Sequence, residues 1–402
     1  MLPSHKQLLL PVMKSIDALG GSAPAKDVVE AVADELNLPA EVRNARGLVS
    51  GRKVNLFARR VRWVRQDGIR RKFLSAENYG RWDLTDAGST YLQNARPGFV
   101  ITIFETTLGQ MLWATAESAR AVIDDGSVNL IITSPEYPLC KPKEYGNRSE
   151  ENLIDWLTEL AADWKRMLVD DGSLVLNVGP VWQRGLPTES VYMERLLLRL
   201  IDDVGFHLAQ RTYFENPGKV PSSEWVTVRR VRVKNVIEPI WWLSKTENPK
   251  ADNRRILLPY SQRMQKLIAK GGQHRDWQNR TPSGHSGTKG GFGRDNGGSI
   301  PSNLITTTNA ASNDLYHRMC RQHGLPPHPA TFGDSIPAYF IPLLTDEGDL
   351  VYEPFSGSGK VPAECERLNR RWIANDRSLT YISGSKFRFR KYRNVAPDLC
   401  PI

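Results

Sequence analysis

Apolar segments of strand length alternate with amphipathic helical segments in two separate blocks of this chain. In the first block, residues 128–133 and 173–178 are strand-like, and residues 153–168 between them have helical periodicity. In the second block, residues 350–353 and 372–375 are strand-like on either side of a helical segment. Strands that alternate with helices favour a mostly parallel sheet covered by helices. The pattern therefore predicts an α/β domain whose sheet takes strands from both blocks.

A polar, glycine-rich segment separates the two blocks. The regular pattern decays between residues 245 and 308, and nine glycines fall between Gly271 and Gly298. A segment of this length without regular structure is usually functional or disordered. At 402 residues the chain also exceeds one ordinary core. We therefore expect a sheet domain that carries a large insertion, together with a second, smaller domain.

The first hundred residues have a pattern of their own. Two helical patterns precede Ser50, which is placed as the N-cap of a third helix over about residues 51–66. Strand-like residues 72–74 and 81–84 follow this helix. Helices followed by a hairpin predict a small α+β winged-helix domain.

The break between the two domains is placed at Pro97-Gly98, because this pair interrupts the periodicity. The winged-helix domain is then predicted over residues 1–95, a linker over residues 96–105 and the α/β domain over residues 106–402.

The third predicted helix and its flanks are strongly basic. Residues 43–72 contain eleven Lys or Arg and one acidic residue, Asp67, and the whole chain has 54 basic against 44 acidic residues. A basic helix next to a wing suits the phosphate backbone of a nucleic-acid duplex. The alternative is an ordinary solvated helix face. The candidate DNA contacts of this domain are Arg52, Lys53, Arg59 and Arg60.

The four cysteines are widely spaced and include no CxxC pair. This pattern predicts neither a zinc site nor a disulfide framework, and no metal is expected. The apolar residues 8–12 are too short for a signal peptide, and no apolar run has the length of a membrane helix. The expectation is a soluble cytoplasmic protein without membrane contact.

The segment Thr133-Ser134-Pro135-Glu136-Tyr137 follows a predicted buried strand, where ligands gather in open α/β sheets. Methyl transfer from a sulfonium requires an amine lone pair in line with the departing sulfur. The Ser134 hydroxyl and the Pro135 carbonyl can accept hydrogens from a base amine, and Tyr137 can stack on the base. The bland alternative is an ordinary strand-to-turn transition. The segment is a candidate site for methylation of an exocyclic base amine.

A second turn, Glu353-Pro354-Phe355-Ser356-Gly357-Ser358-Gly359, lies between a predicted strand and a helix. Glycine permits positive φ and lets the backbone approach a ligand closely. Asp376 ends the next predicted strand, where dinucleotide-binding folds place the acid that binds ribose hydroxyls. A structural loop and a capping aspartate are the alternatives. Combined with the first motif, these features favour a methyltransferase site.

In this order of motifs the chain resembles the β class of DNA amino-methyltransferases, in which the cofactor motif comes last. The likeness is to the N4-cytosine subgroup, covers residues 124–389, and includes Tyr145-Gly146-Asn147 and Glu224-Trp225-Val226. It implies a Rossmann-like methyltransferase sheet that uses S-adenosylmethionine, flips a cytosine out of duplex DNA and methylates its N4 amine. The N-terminal domain resembles the winged helix of Mrr-type restriction proteins, through Ser50-Gly51, the Arg-rich third helix and residues 82–88.

The resemblance also implies roles for regions and residues. Residues 106–213 would be the catalytic half, 214–309 the target-recognition region and 310–402 the cofactor half. The catalytic set is Ser134, Pro135, Glu136 and Tyr137. The cofactor-binding set is Thr133, His328, Pro329, Ala330, Phe332, Ser335, Glu353, Phe355, Ser356, Gly357, Gly359 and Asp376, with a structural role as the alternative for His328. The further DNA-binding set is Arg229, Arg230, Lys234, Ser283, His285 and Asn296.

Three residues depart from the family pattern. Glu136 stands in place of the second proline of the catalytic segment, and we expect it to face water. Glu353 replaces an aspartate and is expected to keep the charge. Lys360 replaces a small hydroxyl or amide residue, and a cation at a helix start beside a cationic sulfonium is electrostatically unfavourable unless it pairs with Glu364 or Glu353.

Two alternatives to N4-cytosine methylation stay open. The same geometry serves the N6 amine of adenine, although Ser134 favours cytosine because adenine enzymes of this class usually carry Asp or Asn there. The departures at Glu136 and Lys360 also allow a catalytically inactive DNA-binding protein. The implied partner is double-stranded DNA in a prokaryotic nucleoid, with a restriction endonuclease of the same specificity as a possible companion. The oligomeric state and the recognition sequence are not predicted.

Overall fold

A computed structural model describes residues 5–36, 38–49, 51–78, 80–95, 97–138, 148–221, 223–271, 295–307, 314–331 and 333–393. The chain divides into two compact units, residues 1–96 with 377–379, and residues 97–376 with 380–402. Within the described ranges, no helix is long and apolar enough to cross a membrane.

The N-terminal unit consists of helices and short strands. They are α1 (His5–Ala18), β1 (Ser22–Pro24), α2 (Ala25–Glu35), α3 (Ala40–Arg43), β2 (Arg46–Val49), β3 (Arg52–Asn55), α4 (Leu56–Arg70), β4 (Arg81–Asp83) and α5 (Asp86–Gln93). Apolar side chains from α1, α2 and α4, including Val12, Val28 and Val61, form its core with Trp82. The unit therefore has a hydrophobic core of its own.

The predicted start of the third helix was wrong. Residues 46–55 form an antiparallel hairpin of β2 and β3, and the positive φ of Gly51 (79°) suits the turn between them. The helix α4 begins only at Leu56, because the Asn55 side chain accepts a hydrogen bond from the Ala58 N–H at 2.8 Å and caps it. Arg52 and Lys53 consequently lie on a strand, and Lys53 is exposed.

The predicted strand over residues 72–74 was also wrong. Leu74 forms a single bridge with Leu84, and β4 pairs instead with β1 in antiparallel register. The hairpin expected after the third helix is thus reduced to one bridge. The winged-helix character of this unit stays a prediction.

The remainder of the described chain contains a larger set of strands and helices. They are β5 (Val100–Glu105), β6 (Gly109–Ala114), α6 (Ala116–Ala119), β7 (Val128–Thr133), α7 (Glu150–Met167), β8 (Leu168–Asn177), α8 (Tyr192–Asp202), β9 (His207–Glu215), β10 (Ile237–Ser244), α9 (Gln262–Ala269), β11 (Leu304–Thr306), α10 (Leu315–Gln322), α11 (Ser335–Leu344), β12 (Leu350–Glu353), α12 (Lys360–Arg367), β13 (Arg371–Asp376) and α13 (Leu379–Ser385). A π-helical turn, Ser223–Val228, follows β9.

Nine strands of the described chain form one sheet in the order β11-β9-β10-β8-β7-β12-β13-β6-β5. The central strands β8, β7, β12, β13 and β6 are mutually parallel, and β5 and β10 run antiparallel to their neighbours. Two blocks of the chain thus meet at β7 and β12, as the alternating pattern predicted. The α/β class and the Rossmann-like sheet are confirmed.

Two predicted boundaries need correction. Residues 100–105 are not linker, because they form the edge strand β5 and pair with β6. The region 214–309 is not a simple excursion from the sheet, because β10 and β11 lie inside it and pair with β8 and β9. The sequence pattern predicts a strand over residues 236–243, close to the observed β10. The edge strand β5 pairs with the next strand along the chain. The three-residue β11 gains its hydrogen bonds from the distant β9, which local patterns do not reveal.

Candidate active site at the carboxyl edge of the sheet

The two sequence motifs lie at the ends of adjacent parallel strands. Strand β7 pairs with β12 through Val351 opposite Leu130 and Tyr352 opposite Ile131. Strand β12 in turn pairs with β13. Parallel strands end at the same edge of a sheet, and ligands of open α/β sheets bind outside this edge. Ser134, the glycine turn after Glu353 and Asp376 are therefore brought to one edge.

The catalytic segment is held against the end of β8. The Ser134 Oγ lies 3.0 Å from the Tyr137 hydroxyl oxygen. The Tyr137 ring lies so close to Gly179 that an added Cβ there would come within 2.4 Å of a ring carbon. The Tyr192 hydroxyl donates to the Gly179 carbonyl at 2.6 Å and fixes this piece of backbone. Glycine at position 179 is thus required for the placement of the tyrosine ring.

Glu136 does not face water, contrary to the expectation from sequence. Its side chain is only 12% exposed and forms an ion pair with Arg148. The Arg148 guanidinium lies over the Trp156 ring, with Cζ 3.7 Å from the ring centroid. The Trp156 indole N–H donates to Glu117. The residue that departs from the family pattern is thus held by residues before and within α7.

The glycine turn after β12 has the backbone conformation that its sequence predicts. Gly357 and Gly359 have φ values of 50° and 72°, which disfavour other residues. The Gly357 N–H donates to Asp376 Oδ2 at 2.8 Å, so Asp376 orients the turn. An added Cβ at Gly359 would come within 2.9 Å of Ser385. The turn therefore presents bare backbone next to a carboxylate.

His328 packs directly on this turn. An added Cβ at Gly357 would come 3.0 Å from the His328 Nε2. The His328 backbone N–H donates to the Tyr316 hydroxyl at 2.8 Å, and Nδ1 accepts from the Ala330 N–H at 3.2 Å. With Nδ1 as the acceptor, the neutral ring carries its proton on Nε2, toward the glycine turn. Pro329 and Ala330 are exposed beside it.

Glu353 and Lys360, the two other departures, are both buried. Glu353 is 3% exposed, and burial raises the pKa of its carboxyl well above the ordinary value, which opposes the negative charge expected there from sequence. Lys360 Nζ forms an ion pair with Asp334 at 2.8 Å, while Glu364 pairs with Arg367. The cation at position 360 is therefore compensated by Asp334, and not by Glu364 or Glu353, which were the partners considered from sequence.

Several features of this edge fit a polar ligand such as S-adenosylmethionine. The buried hydroxyls of Thr133 and Ser335 have no hydrogen-bond partner among the described residues. The Phe355 ring lies 5.5 Å from that of Trp156 and offers apolar surface next to the turn. Ser356 is buried beside Glu353. Phe332 of the predicted cofactor set lies outside the described residues.

The predicted DNA contacts of the insertion are only partly brought together. Arg229, Arg230 and Lys234 share one loop after the π-helical turn, where Arg229 pairs with Glu224 at 2.7 Å and Arg230 has a φ of 55°. Asn296 lies elsewhere, with its N–H donating to the Tyr260 hydroxyl at 2.7 Å. Ser283 and His285 lie outside the described residues. In the N-terminal unit, Arg59 and Arg60 are half-buried on α4.

Sequence reasoning missed residues that surround the glycine turn. The Arg388 Nε donates to the Ser358 carbonyl at 2.7 Å, and its guanidinium lies 4.6 Å from the Tyr316 ring centroid. Strand β6, which was not predicted, ends at Ala114 beside Asp376, since Asp376 pairs with Trp113. The apolar run from Met111 to Ala114 was a usable signal for β6. No local signal connects Arg388 with the turn.

Comparisons with known proteins agree with this geometry. The family model described as DNA methylase matches residues 128–387, and that of the Mrr N-terminal domain matches residues 5–94. The chain is 40% identical over 287 residues to the Type II methyltransferase M.PvuII of Proteus hauseri, across 71% of this chain and 85% of that protein. It is 24% identical over 270 residues to the Type II methyltransferase M.BglII of Bacillus subtilis, across 65% of this chain and 63% of that protein.

The fold of this chain is also similar to that of a solved structure. The PvuII DNA methyltransferase, described as cytosine-N4-specific, aligns with a TM-score of 0.58 and 33% identity, across 72% of this chain and 88% of that chain.

Proposed function

Because this chain belongs to the DNA methylase family and carries an Mrr N-terminal domain, we propose that it methylates the N4 amine of cytosine at a specific sequence in duplex DNA. The methyl donor is S-adenosylmethionine.

One observation carries the proposal: the catalytic segment and the glycine turn follow the neighbouring parallel strands β7 and β12. A direct transfer needs the acceptor nitrogen in line with the donor methyl and the departing sulfur. Two ligand-binding segments on adjacent strand ends can hold a base and a cofactor side by side. This arrangement supports direct transfer from the cofactor to the base.

The catalytic segment offers the groups that a base amine needs. The Ser134 hydroxyl and the Pro135 carbonyl can accept the two amine hydrogens, which favours a nitrogen lone pair that points away from the ring. The Tyr137 ring can stack on a flipped base. Since Glu136 is paired with Arg148, it is not placed as a free base. The protonated amine formed by transfer is acidic and can release its proton to water.

The glycine turn and its surroundings would hold the cofactor. S-adenosylmethionine supplies an electrophilic methyl group on a sulfonium. Gly357 and Gly359 allow its methionine part to approach the backbone, Phe355 offers an apolar contact, and Asp376 would accept from the ribose hydroxyls. His328, Pro329, Ala330 and Ser335 lie before and at the start of α11 and would close the cofactor pocket.

Cytosine is favoured over adenine by two observations. The first is the serine at position 134. The second is the similarity to M.PvuII, because the solved structure of the PvuII DNA methyltransferase is described as cytosine-N4-specific. Both curated relatives are Type II methyltransferases. A restriction endonuclease that cuts the same sequence is accordingly the proposed partner, and the nucleoid of a prokaryotic cell the proposed location.

The proposal is tested by methyl incorporation from tritiated S-adenosylmethionine into DNA, followed by separation of the nucleosides. The expected product is N4-methyldeoxycytidine. Recovery of N6-methyldeoxyadenosine would assign the acceptor to adenine. Absence of both products, together with absence of heat when the cofactor is titrated into the protein, would leave a catalytically inactive DNA-binding protein.

A further inference from the structure

Lys360 is a buried cation in an unusual place. It is the first residue of α12 and follows Gly359 directly, so it lies at the edge of the sheet where the cofactor is proposed to bind. Its side chain is only 4% exposed. Burial lowers the pKa of its ammonium, and the nearby Asp334 carboxylate opposes this shift. A lysine so placed costs stability unless its hydrogen bonds are satisfied.

The ion pair with Asp334 does not use all the hydrogen-bond donors of Lys360. Among the described residues, Asp334 at 2.8 Å is the hydrogen-bond acceptor of Nζ, which has three N–H donors. Asp334 precedes α11 and is itself 71% exposed, so its carboxylate is open to a second cation. The adjacent Ser335 hydroxyl is buried without a partner in the described chain. The pair thus presents a positive and a negative group, each of which can form further polar contacts.

We infer that Lys360 binds the α-carboxylate of the methionine part of S-adenosylmethionine, and that Asp334 faces its α-ammonium. This inference rests on the proposed function. An α-amino acid carries opposite charges on one carbon, and a lysine-aspartate pair 2.8 Å apart is complementary to both. The carboxylate would supply a further acceptor for the buried ammonium, whose acceptor among the described residues is Asp334.

The same geometry disfavours a DNA phosphate as the anion. A phosphate on the outside of a duplex cannot reach an ammonium that is 4% exposed. The cofactor, by contrast, is proposed to lie against the glycine turn that Lys360 directly follows. Asp334 also reduces the repulsion between Lys360 and the cofactor's cationic sulfonium, because its negative charge lies next to the ammonium.

Isothermal titration of the full-length protein, without DNA, tests the inference through binding alone. The probes are S-adenosylhomocysteine and its decarboxylated counterpart, which keeps the amine and lacks the carboxylate. The wild-type protein is expected to bind S-adenosylhomocysteine roughly 10- to 100-fold more tightly, as a charge-assisted hydrogen bond predicts. In Lys360→Met this preference is expected to fall below about threefold, through loss of affinity for S-adenosylhomocysteine alone.

Three further variants guard against a structural explanation. Asp334→Asn keeps the lysine and is expected to keep the preference for the carboxylate. Lys250→Met removes a lysine that pairs with Asp346 and Asp349 before β12, at the opposite edge of the sheet. It is expected to change neither affinity. Melting temperatures show whether each variant folds. If Lys360→Met does not fold, Lys360→Arg replaces it in the test. Because Lys360→Arg keeps the positive charge, it is expected to retain the preference for S-adenosylhomocysteine over its decarboxylated counterpart.

The outcomes separate this inference from the proposed function. If Lys360→Met loses affinity equally for both ligands, or keeps its preference for S-adenosylhomocysteine, the ion pair is a purely structural contact and the inference is overturned. Failure of the wild-type protein to bind S-adenosylhomocysteine would overturn the proposed function instead.

Discussion

At the scale of single residues, the catalytic segment is preorganised by a contact within itself. The Ser134 and Tyr137 hydroxyls lie 3.0 Å apart, and Gly179 fixes the tyrosine ring. The serine oxygen is thereby held at the end of β7 before a base arrives. Its lone pairs remain able to accept an amine hydrogen because a hydroxyl has one donor and two acceptor sites.

Ser134→Ala is expected to lower kcat by about 100-fold and to change cofactor affinity less than twofold, because the hydroxyl is proposed to contact the amine and not the cofactor. Single-turnover methylation and cofactor titration measure the two effects. Ser127→Ala is the matched control, since Ser127 precedes the same strand at its other end and bonds to Asp124. Loss of cofactor binding in Ser134→Ala would contradict the assigned role.

Glu353 gives a pH-dependent prediction. Burial raises the pKa of its carboxyl well above the ordinary value of 4.5 in the folded chain. As pH rises above 4.5, the unfolded chain loses this proton first, so the free energy of unfolding falls until pH exceeds the folded pKa. Each unit of pKa difference corresponds to about 1.4 kcal/mol.

Glu353→Gln is expected to flatten this decline, so that its stability relative to the wild-type protein increases from acid to alkaline pH. Denaturant unfolding across a pH series measures it. Glu347→Gln, at an exposed residue in the turn before β12, is the control and should leave the decline unchanged. Parallel curves for wild type and Glu353→Gln would contradict the prediction.

At the scale of elements, helix α7 and the catalytic segment are coupled through Arg148. This residue directly precedes Ser149, the N-cap of α7, and joins Glu136 to the face of Trp156. Trp156 also contacts Phe355 after β12. A continuous series of side-chain contacts therefore connects the two motifs. In place of the family's second proline, Glu136 is fixed by an ion pair.

Arg148→Met is expected to lower kcat by roughly tenfold, because it leaves Glu136 partly buried without its cation. Combined with Glu136→Gln, the loss should be smaller than the sum of the two single effects, which a double-mutant cycle measures. Arg166→Met is the control at the other end of α7, where Arg166 pairs with Asp163. Additive losses would show that the two residues act separately.

At the scale of the whole molecule, each unit has its own hydrophobic core, which allows separate roles in DNA binding and chemistry. The N-terminal unit carries exposed cations at Lys53 on β3 and Arg62 on α4. Arg62 was absent from the residues predicted as DNA contacts, whereas the predicted Arg59 and Arg60 are half-buried.

Replacing Lys53 and Arg62 together by Gln is expected to weaken DNA binding and to reduce the slope of log affinity against log salt by about 2, one unit per lost phosphate contact. Cofactor affinity should not change. The matched control is Lys26→Gln, an exposed cation on α2. An unchanged salt slope would assign the N-terminal unit a role other than binding the DNA backbone.

Local sequence patterns are sufficient to locate the segments to which we assign the chemistry. Local periodicity predicts the strand over residues 128–133, and the structure has a strand with these bounds. The backbone preference of glycine likewise predicts the positive φ found at Gly357 and Gly359. The family resemblance added the cofactor and the acceptor class.

Which residues become neighbours is set by the packing of the folded chain. The Leu350 N–H bonds to Asn129, 221 residues away, and this pairing places the two motifs side by side. Packing also pairs Glu136 with Arg148, although sequence reasoning expected Glu136 to face water. It pairs Lys360 with Asp334, although sequence reasoning considered only the glutamates at 353 and 364. Such pairs depend on strand order and burial, and these are set by long-range packing that no short stretch of sequence contains.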